Sequence, residues 1–313
     1  MQFIRGIHNL PAQFRGCALT IGNFDGVHLG HQAILRHLRD KASQLGLPMV
    51  VMLFEPQPRE YFMGDQAPAR LMRLRDKLDY LAQAGVDYVI AVKFDQAFAK
   101  QTAEEFIQNV LVNTLKIKFL SVGDDFRFGA KREGDFTKLQ QAGEKWGFTV
   151  EDNKSYCLSQ LRVSSTAIRQ ALAQDDLTQA ALLLGRPYCI RGRVVHGNKL
   201  GRTIGFPTAN IMLHRQVNPV QGVYAVKVRL KSEKFFYGVA NIGKRPTLNG
   251  VKQLLEVHIF DFTGNLYGQC LQVELCHKIR NEMKFPSFEQ LTAQIRQDVE
   301  TAKIFFKENK PID

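Results

Sequence analysis

Apolar and polar positions follow one pattern up to about residue 184 and a different pattern after it. In the first part, short apolar runs alternate with longer amphipathic stretches, as in a parallel sheet covered by helices. The predicted strands are 17–22, 49–54, 87–94 and 117–123, and the predicted helices include 31–46 and 103–115. We therefore expect a doubly wound α/β domain over residues 1–184, which ends on a helix-like stretch at 175–185.

The second part has the texture of strands and turns, with Gly, Pro and Asn between β-rich runs. The predicted strands are 186–197, 222–230, 234–243, 254–262 and 269–276. Only 288–306 is plainly helical. This succession predicts a small antiparallel β-barrel domain over residues 185–313 that is closed by a C-terminal helix.

Composition places the chain among ordinary globular proteins. Of its 313 residues, 45% are hydrophobic and 23% are charged, which is typical of soluble domains. The sequence has no run of about 18 apolar residues and no N-terminal stretch resembling a signal peptide. The five cysteines show neither CxxC nor zinc spacing. We expect a cytoplasmic protein with reduced thiols and no membrane partner.

Net charge is the unusual feature, since the chain carries +12. Such a surplus favours a polyanionic partner, which can be nucleic acid, an anionic membrane or a phosphorylated small molecule. Residues 1–184 hold 22 Lys and Arg against 20 Asp and Glu, whereas residues 185–313 hold 20 against 10. The surplus therefore belongs to the second predicted domain.

The first candidate site follows the predicted strand 17–22 and runs into the next helix. Gly22, Gly26 and Gly30 allow backbone N–H groups to approach a ligand, and a helix N-terminus favours anions. His28 and His31 lie three residues apart on the first turn, so that both rings can face one phosphate. The alternatives are a plain strand–helix turn or a zinc site, although no further ligand has zinc spacing. The loop residues between these positions are Asn23, Phe24 and Asp25.

A second element, Ser164–Arg169, begins another predicted helix. The hydroxyls of Ser165 and Thr166 can cap the helix or bind an anion. Arg169 can reach a phosphate with two N–H groups. The alternative is a capped helix with no ligand.

Two loops offer aromatic and charged side chains. The stretch 122–135 follows a predicted strand, where a loop of a parallel sheet lies over the ligand crevice, and contains Asp125, Phe126 and Arg127. The stretch 54–62 contains Gln57 and Phe62. Either loop can instead be a solvated turn with packed aromatic rings.

These elements together resemble a known superfamily. The string 20–32 and the Ser-Ser-Thr-Ala-Ile-Arg segment at 164–169 are similar to the two halves of the nucleotidylyltransferase triphosphate site. The resemblance implies that His28 and His31 stabilise charge developing on the α-phosphate and that no protein nucleophile takes part. Flavin adenylyltransferases of this superfamily place both loops around the isoalloxazine ring and ATP, which implies flavin contacts from Phe62, Asp125, Phe126 and Arg127. They commonly have His where Gln57 stands.

A basic, glycine-rich loop at 197–210 is the second strong motif. Its Gly197, Lys199, Gly201, Arg202 and Pro207 suit a polyphosphate, and the string is not a P-loop. Thr208 and Asn210 offer oxygen ligands for Mg²⁺. The alternative is a mobile basic surface loop.

GFPTAN at 205–210, followed by GVYAV at 222–226, resembles the riboflavin kinase family. The resemblance implies that residues 207–210 bind Mg-ATP. It also implies that Glu256, on an alternating strand, takes the proton from the ribityl 5′-hydroxyl or orients it. Arg280 lies in a stretch that is similar to the flavin-side loop of that family.

Both motif sets occur in order over nearly the whole chain, which therefore resembles the bacterial bifunctional riboflavin kinase/FMN adenylyltransferases. The resemblance implies two Mg²⁺-dependent reactions: riboflavin and ATP give FMN and ADP, and FMN and ATP give FAD and pyrophosphate. One alternative is a single-activity nucleotidylyltransferase with a non-catalytic barrel. A nucleic-acid-binding protein is another, but no RNP, KH, HTH or zinc-finger pattern is present. We expect no nucleic-acid partner, and the oligomeric state stays open.

Overall fold

The computed structural model describes residues 1–123, 125–153, 156–158, 161–197, 201, 204–215, 217–230, 234–247 and 250–309. The chain forms two compact units. The first consists of Met1–Pro68 and Met72–Ser165, and the second of Ala69–Leu71 and Thr166–Asp313.

A six-stranded parallel sheet forms the centre of the first unit, in the order β1-β4-β3-β2-β5-β6. Its strands are β1 (Gln2–Arg5), β2 (Cys17–Ile21), β3 (Met49–Glu55), β4 (Tyr88–Lys93), β5 (Ile117–Val122) and β6 (Thr149–Asp152). The four strands predicted in this region are confirmed, whereas the short β1 and β6 at the two sheet edges were not predicted.

Both faces of this sheet are buried. On β3, Val50 and Met52 lie in one apolar core while Val51 and Leu53 lie in the core on the opposite face. Successive side chains of a strand point to opposite faces, so a strand covered on both sides needs apolar residues at every position. This explains the unbroken apolar runs of the sequence and confirms the predicted doubly wound α/β fold.

Helices cover both faces and connect the parallel strands. Those of the first unit are α1 (Leu29–Leu45), α2 (Pro58–Met63), α3 (Leu74–Gln83), α4 (Gln96–Ala99), α5 (Ala103–Glu105) and α6 (Phe136–Trp146). Short 3₁₀ turns lie at Ile7–Asn9, Gly64–Gln66 and Ala130–Arg132, and a small hairpin pairs β7 (Cys157–Leu158) with β8 (Leu161–Arg162). The helix predicted over 103–115 is α-helical only at its start. Phe106–Thr114 forms a π-helix, and the N–H of Leu115 accordingly donates to the carbonyl five residues earlier, on Val110.

A closed antiparallel barrel forms the centre of the second unit, in the order β10-β13-β12-β11-β14-β9. Its strands are β9 (Cys189–Val195), β10 (Ala209–Met212), β11 (Gly222–Arg229), β12 (Phe235–Thr247), β13 (Gly250–Ile259) and β14 (Cys270–Arg280). The helices of this unit are α7 (Ser165–Ala173), α8 (Leu177–Leu184) and α9 (Phe288–Glu308), and Ser165 at the start of α7 belongs to the first unit.

The C-terminal helix α9 packs on the barrel as predicted. Its Val299, Ala302 and Phe306 lie at three- and four-residue spacing and share an apolar core with Val223 of β11 and Val239 of β12. The predicted order of an α/β domain, an antiparallel barrel and a terminal helix is confirmed.

Three further features bear on the predictions. The domain boundary at residue 184 stays a prediction. In the structure, α8 and the part of α7 from Thr166 onward belong to the same compact unit as the barrel. Over the described ranges, no helix is both long and apolar enough to cross a bilayer. All five cysteines are free thiols.

Candidate active sites

The loop between β2 and α1 forms the centre of the candidate site in the first unit. Strand β2 is buried throughout and ends at Ile21, so the loop starts at the carboxyl edge of the sheet. The φ angles of Phe24, Gly26 and Val27 are 47°, 89° and 38°. For a β-branched residue such as Val27 this conformation costs on the order of 1–3 kcal/mol. Since its side chain is only 2% exposed, packing holds the loop in this shape.

His28 and His31 come together at the N-terminus of α1. His28 is the N-cap residue, and its Nδ1 accepts a hydrogen bond of 3.3 Å from the backbone N–H of His31. A neutral His28 therefore carries its proton on Nε2. The two rings stack with centroids 3.6 Å apart at 18°, and Phe24 packs against His31 at 4.8 Å. Two imidazoles and the first N–H groups of a helix thus lie at one point, which is an arrangement suited to a phosphate.

Buried polar contacts fix the loop backbone. The Nζ of Lys77, 2% exposed on α3, donates to the carbonyl of Asn23 at 2.6 Å. Asp25, also 2% exposed, accepts from the N–H of Met72 through Oδ1, and its carbonyl accepts from the Ser165 hydroxyl at 2.7 Å. Ser165 therefore lies beside the loop, as the two-part motif predicts. Lys77 was missed, because nothing in the sequence separates a buried lysine from a solvated one.

Gly30 lies where the histidine cap meets the chain before α7. A Cβ atom built on Gly30 would lie 3.2 Å from His28 Nδ1 and 3.2 Å from the carbonyl oxygen of Val163. Both contacts are tighter than nine in ten real Cβ contacts, so a side chain here would push His28 or the Val163 backbone aside. The third glycine of the motif is therefore needed for close approach.

The other motif residues of α7 lie in the second unit. Thr166 is exposed and Arg169 is half-buried. The Nε of Arg169 donates to the carbonyl of Ala69 at 2.5 Å. Part of the guanidinium thus fixes a neighbouring segment of the same unit.

The residues predicted to contact flavin lie on two loops of the first unit. Phe62, at the end of α2, is 68% exposed and contacts Tyr61 and Phe94 edge-on, with ring centroids 5.1 and 5.7 Å apart. An exposed aromatic ring on an aromatic base is a stacking surface. Gln57, just before α2, is 7% exposed, and within the described part of the chain its Nε2 has no hydrogen-bond partner.

On the second loop, the Phe126 ring stacks on the buried Phe128 ring at 5.6 Å. Asp125 is exposed and lies 3.9 Å from Arg162, and Arg127 is exposed and donates to the carbonyl of Phe126. Two solvent-facing charges thus flank a packed aromatic pair.

The candidate site of the second unit is built on barrel register. Glu256 of β13 lies directly opposite Asn210 of β10 and, on its other side, opposite Asn241 of β12. Asn210 is only 6% exposed, whereas Glu256 is half-buried. The motif loop and the carboxylate, 46 positions apart in sequence, are thereby neighbours. Asn241 was missed, and its only signal is an amide side chain among the apolar residues of the first half of β12.

Two glycines of the basic loop cradle the polar side chains of this site. A Cβ on Gly197 would lie 2.6 Å from Asn210 Nδ2, and one on Gly201 would collide with the carbonyl of Phe206 and lie 3.6 Å from Thr208 Oγ1. The oxygens of Thr208 and Asn210 are hard donors in a tight cradle. Mg²⁺ takes few protein ligands and completes its shell with water and phosphate oxygens, so this donor set fits it. Lys199 and Arg202 lie outside the described residues.

A cavity of about 380 Å³ adjoins the cradle. Its size is within the range of small-molecule sites, about 300–1,000 Å³. Pro207 and Thr208 line one side and the turn residues Asn265 and Tyr267 another. The Tyr267 ring stacks on His196 at 3.9 Å, and the Nδ1 of His258 lies 2.9 Å from the carbonyl of Pro207. These contacts hold the loop next to the cavity.

Arg280, predicted to contact flavin, is engaged in a bidentate ion pair. Its Nε and Nη2 donate to the carboxylate of Asp298 on α9 at 2.8 and 2.7 Å, and Nη1 donates to the carbonyl of Asn281. The Asp298 side chain is 4% exposed. Gln294 donates to the same carboxylate at 3.0 Å. Arg280 thus ties the chain after β14 to the C-terminal helix.

No three His, Cys, Asp or Glu side chains form a metal-binding group among the residues that the structure describes. The zinc alternative for His28 and His31 therefore gains no third ligand there. Their stacking on each other and their place at a helix N-terminus favour a phosphate.

Comparison with known proteins identifies the family. A family model described as FAD synthetase matches residues 10–167, and one described as riboflavin kinase matches residues 184–306. The chain belongs to the bifunctional riboflavin kinase/FMN adenylyltransferase family. A curated family member from Haemophilus influenzae is 69% identical over 98% of this chain and 99% of its own length. One from Escherichia coli K12 is 58% identical over 99% of this chain and 100% of its own length.

A solved structure shares the architecture of this family member. It is described as a macrolide-efflux protein from Streptococcus pneumoniae and is 30% identical. The match covers 96% of this chain and 98% of that chain, with a TM-score of 0.77. The likeness extends over both units.

Proposed function

We propose that the chain makes FMN and then FAD, with a separate site for each reaction. The second site transfers the γ-phosphoryl group of ATP to the riboflavin 5′-hydroxyl and releases ADP. The first site joins the FMN phosphate to the α-phosphorus of ATP and releases pyrophosphate. The observation that carries the proposal is that each unit holds its own cluster, His28 with His31 in one and Glu256 with Asn210 in the other. We assign the two activities to residues 1–184 and 185–313.

For adenylyl transfer, the first cluster supplies position and charge. A phosphate oxygen of FMN forms a bond to the α-phosphorus, and the bond to pyrophosphate breaks. His28 and His31, at the N-terminus of α1, stabilise the negative charge that spreads over the α-phosphate oxygens. Loop residues 22–26 and Gly30 bind the nucleotide through backbone groups, and Ser165, Thr166 and Arg169 bind the triphosphate. Phe62, Asp125, Phe126 and Arg127 contact the flavin.

For the kinase reaction, Glu256 accepts or orients the proton of the ribityl hydroxyl as its oxygen attacks the γ-phosphorus. Thr208 and Asn210 would hold Mg²⁺, which neutralises phosphate charge when it is bound. The loop residues Gly197, Lys199, Gly201, Arg202 and Pro207 bind the ATP phosphates beside the 380 Å³ cavity. Arg280 holds the flavin-side loop. This use of polyanionic substrates accounts for part of the charge surplus of the second unit.

The alternative of a single-activity nucleotidylyltransferase predicts a barrel without kinase chemistry. The riboflavin kinase match over 184–306 and the pairing of Glu256 with Asn210 argue against it. A cytoplasmic location, the requirement for Mg²⁺ and the absence of a nucleic-acid partner stay predictions.

Incubation with riboflavin and Mg-ATP, followed by chromatography of the flavins, tests both activities. Glu256→Gln should abolish FMN formation yet leave conversion of supplied FMN to FAD, and His31→Ala should do the reverse. His37→Ala on the same helix and Glu300→Gln on α9 are matched controls that should retain both reactions. If either site substitution removes both activities from a protein that remains folded, the division of labour is wrong.

A further inference from the structure

Helix α3 supports the loop between β2 and α1 from inside the first unit, to which both belong. Leu81 of the helix shares an apolar core with Phe24 of the loop. Lys77, one turn earlier on α3, is 2% exposed, and its Nζ donates to the carbonyl of Asn23 at 2.6 Å. Lysine is almost never fully buried unless polar groups of the protein bind its ammonium group. The contact to Asn23 is therefore part of how this loop is built.

This hydrogen bond sets the direction of one peptide group in the loop. The carbonyl of Asn23 and the N–H of Phe24 belong to the same peptide, which is trans. In a planar trans peptide the carbonyl and the N–H point in opposite directions. With the carbonyl turned toward Lys77, the Phe24 N–H is directed away from α3. Lys77 thus fixes the direction of a backbone donor that it does not touch.

The N–H of Phe24 is a donor that the protein itself leaves unused. Within the described ranges of the chain, no group accepts a hydrogen bond from it, although the carbonyl of the same residue accepts from the N–H of Val27 at 3.2 Å. Phe24 is 3% exposed, and buried backbone N–H groups are nearly always paired. Since the Phe24 ring packs against His31, an acceptor on a ligand beside the histidine pair would satisfy this donor.

The backbone at Phe24 needs support from its neighbours. Its φ of 47° lies in the left-handed region, which few residues other than glycine occupy. Two contacts hold the chain on either side of it: Lys77 binds the carbonyl of Asn23, and the N–H of Met72 donates to Asp25 Oδ1 at 3.3 Å. If Lys77 is removed, the peptide before Phe24 can turn while the loop stays anchored at Asp25.

We propose that Lys77 is a positioning residue for adenylyl transfer, because it holds the peptide between Asn23 and Phe24 so that the Phe24 N–H faces the α-phosphate of ATP. This inference rests on the function proposed for the loop. An ammonium group bound to the carbonyl also polarises the peptide, which strengthens its N–H as a donor. Fixed donors aimed at charge that develops in a transition state are effective, and loss of one costs about 100- to 1,000-fold in kcat.

The test compares two buried changes in the first unit of the full-length protein. Lys77→Met removes the ammonium group and keeps most of the side-chain volume. Leu111→Ala opens a cavity at a residue that is 0% exposed, in the core on the face of the sheet opposite to Phe24. It therefore lowers the stability of the unit without altering the loop. Arg75→Met, at an exposed position on α3, controls for the loss of a cation.

Four quantities are measured for each variant. They are kcat and the KM values for ATP and FMN in the conversion of FMN to FAD, the rate of FMN formation from riboflavin, and the thermal midpoint of the first unit. Trp146 on α6 reports that midpoint by its fluorescence. All rates are taken at a temperature well below the midpoints, so that a folded protein is compared with a folded protein.

We expect Lys77→Met to lower kcat for FAD formation by at least about 10-fold, because a donor that is free to turn loses part of the effect of a fixed one. The KM values should change less, since the donor acts on charge formed in the transition state. Lys77→Arg keeps a charge and N–H donors and should restore part of kcat. Leu111→Ala should lower the midpoint but keep kcat, Arg75→Met should match the parent, and FMN formation should be unchanged throughout.

If the kcat of Lys77→Met equals that of Leu111→Ala, the proposal is overturned, and a kcat for Lys77→Arg no higher than for Lys77→Met would also overturn it. If Lys77→Met does not fold, Lys77→Gln takes its place in the same comparison, since its amide can donate but carries no charge. A parent protein that converts riboflavin to FMN but makes no FAD would instead contradict the proposed function.

Discussion

Replacing Asp298 by Asn should destabilise the second unit far more than an equivalent change at its surface. The two shortest contacts to Arg280 are charge-assisted, and the carboxylate side chain is 4% exposed. A net contribution of about 1.5–3 kcal/mol is typical for each hydrogen bond to a charged group. Asparagine retains one carbonyl acceptor but leaves the Arg280 charge without a counterion, and breaking a buried pair costs about 3–5 kcal/mol. Since the Arg280 side chain is 17% exposed, we expect a loss near the lower end, about 3 kcal/mol.

Urea unfolding followed by hydrogen exchange measures this loss within the second unit. For a slope of about 2 kcal/mol per molar urea, 3 kcal/mol lowers the midpoint by about 1.5 M. Peptides covering β14 and α9 should report the shift. Trp146, the single tryptophan, lies in the first unit, so its fluorescence serves as an internal reference.

The matched control is Glu300→Gln, two residues along the same helix. Glu300 pairs with Lys303 at 3.3 Å, but the two side chains are 65% and 51% exposed. Exposed pairs of this kind contribute about 0–1 kcal/mol. If Asp298→Asn shifts the midpoint no more than Glu300→Gln does, the buried pair does not hold α9 to the barrel. The riboflavin KM of the kinase reaction should also rise in Asp298→Asn, because the proposed function gives the loop that follows Arg280 a contact with the flavin.

Two further expectations concern titration and thiol chemistry. Burial opposes ionisation of Glu151, but hydrogen bonds from Lys41 and His37 outweigh it and hold the pKa of this carboxyl below its ordinary value. The contribution of ionised Glu151 to the stability of the fold should therefore be complete above about pH 5, where the unfolded carboxyl is ionised, and should fade as the pH falls through the lowered pKa. A stability profile in which Glu151→Gln differs from the parent more at pH 3 than at pH 6 would contradict this. Burial raises the pKa of the Cys276 thiol to about 12, whereas Cys157 is exposed. Alkylation at pH 8 should therefore modify Cys157 first, and peptide mapping of the products checks the order. Earlier modification of Cys276 would contradict its burial.

Sequence patterns predicted the architecture because its strands are buried in two different ways. β3 is apolar at every position since both faces of the parallel sheet are covered. β13 alternates, with Leu255 and Val257 inside the barrel and Glu256 half-buried between them. Edge strands such as β1 and β6 were missed because four residues carry too little periodicity to be recognised.

Within the sites, local motifs predicted the residues that lie close together in sequence, and tertiary pairing decided the others. His28 and His31 could be placed together because a helix turn brings residues three apart onto one side. Nothing in the sequence sets Asn241 opposite Glu256, since that pairing depends on the register of β12 with β13.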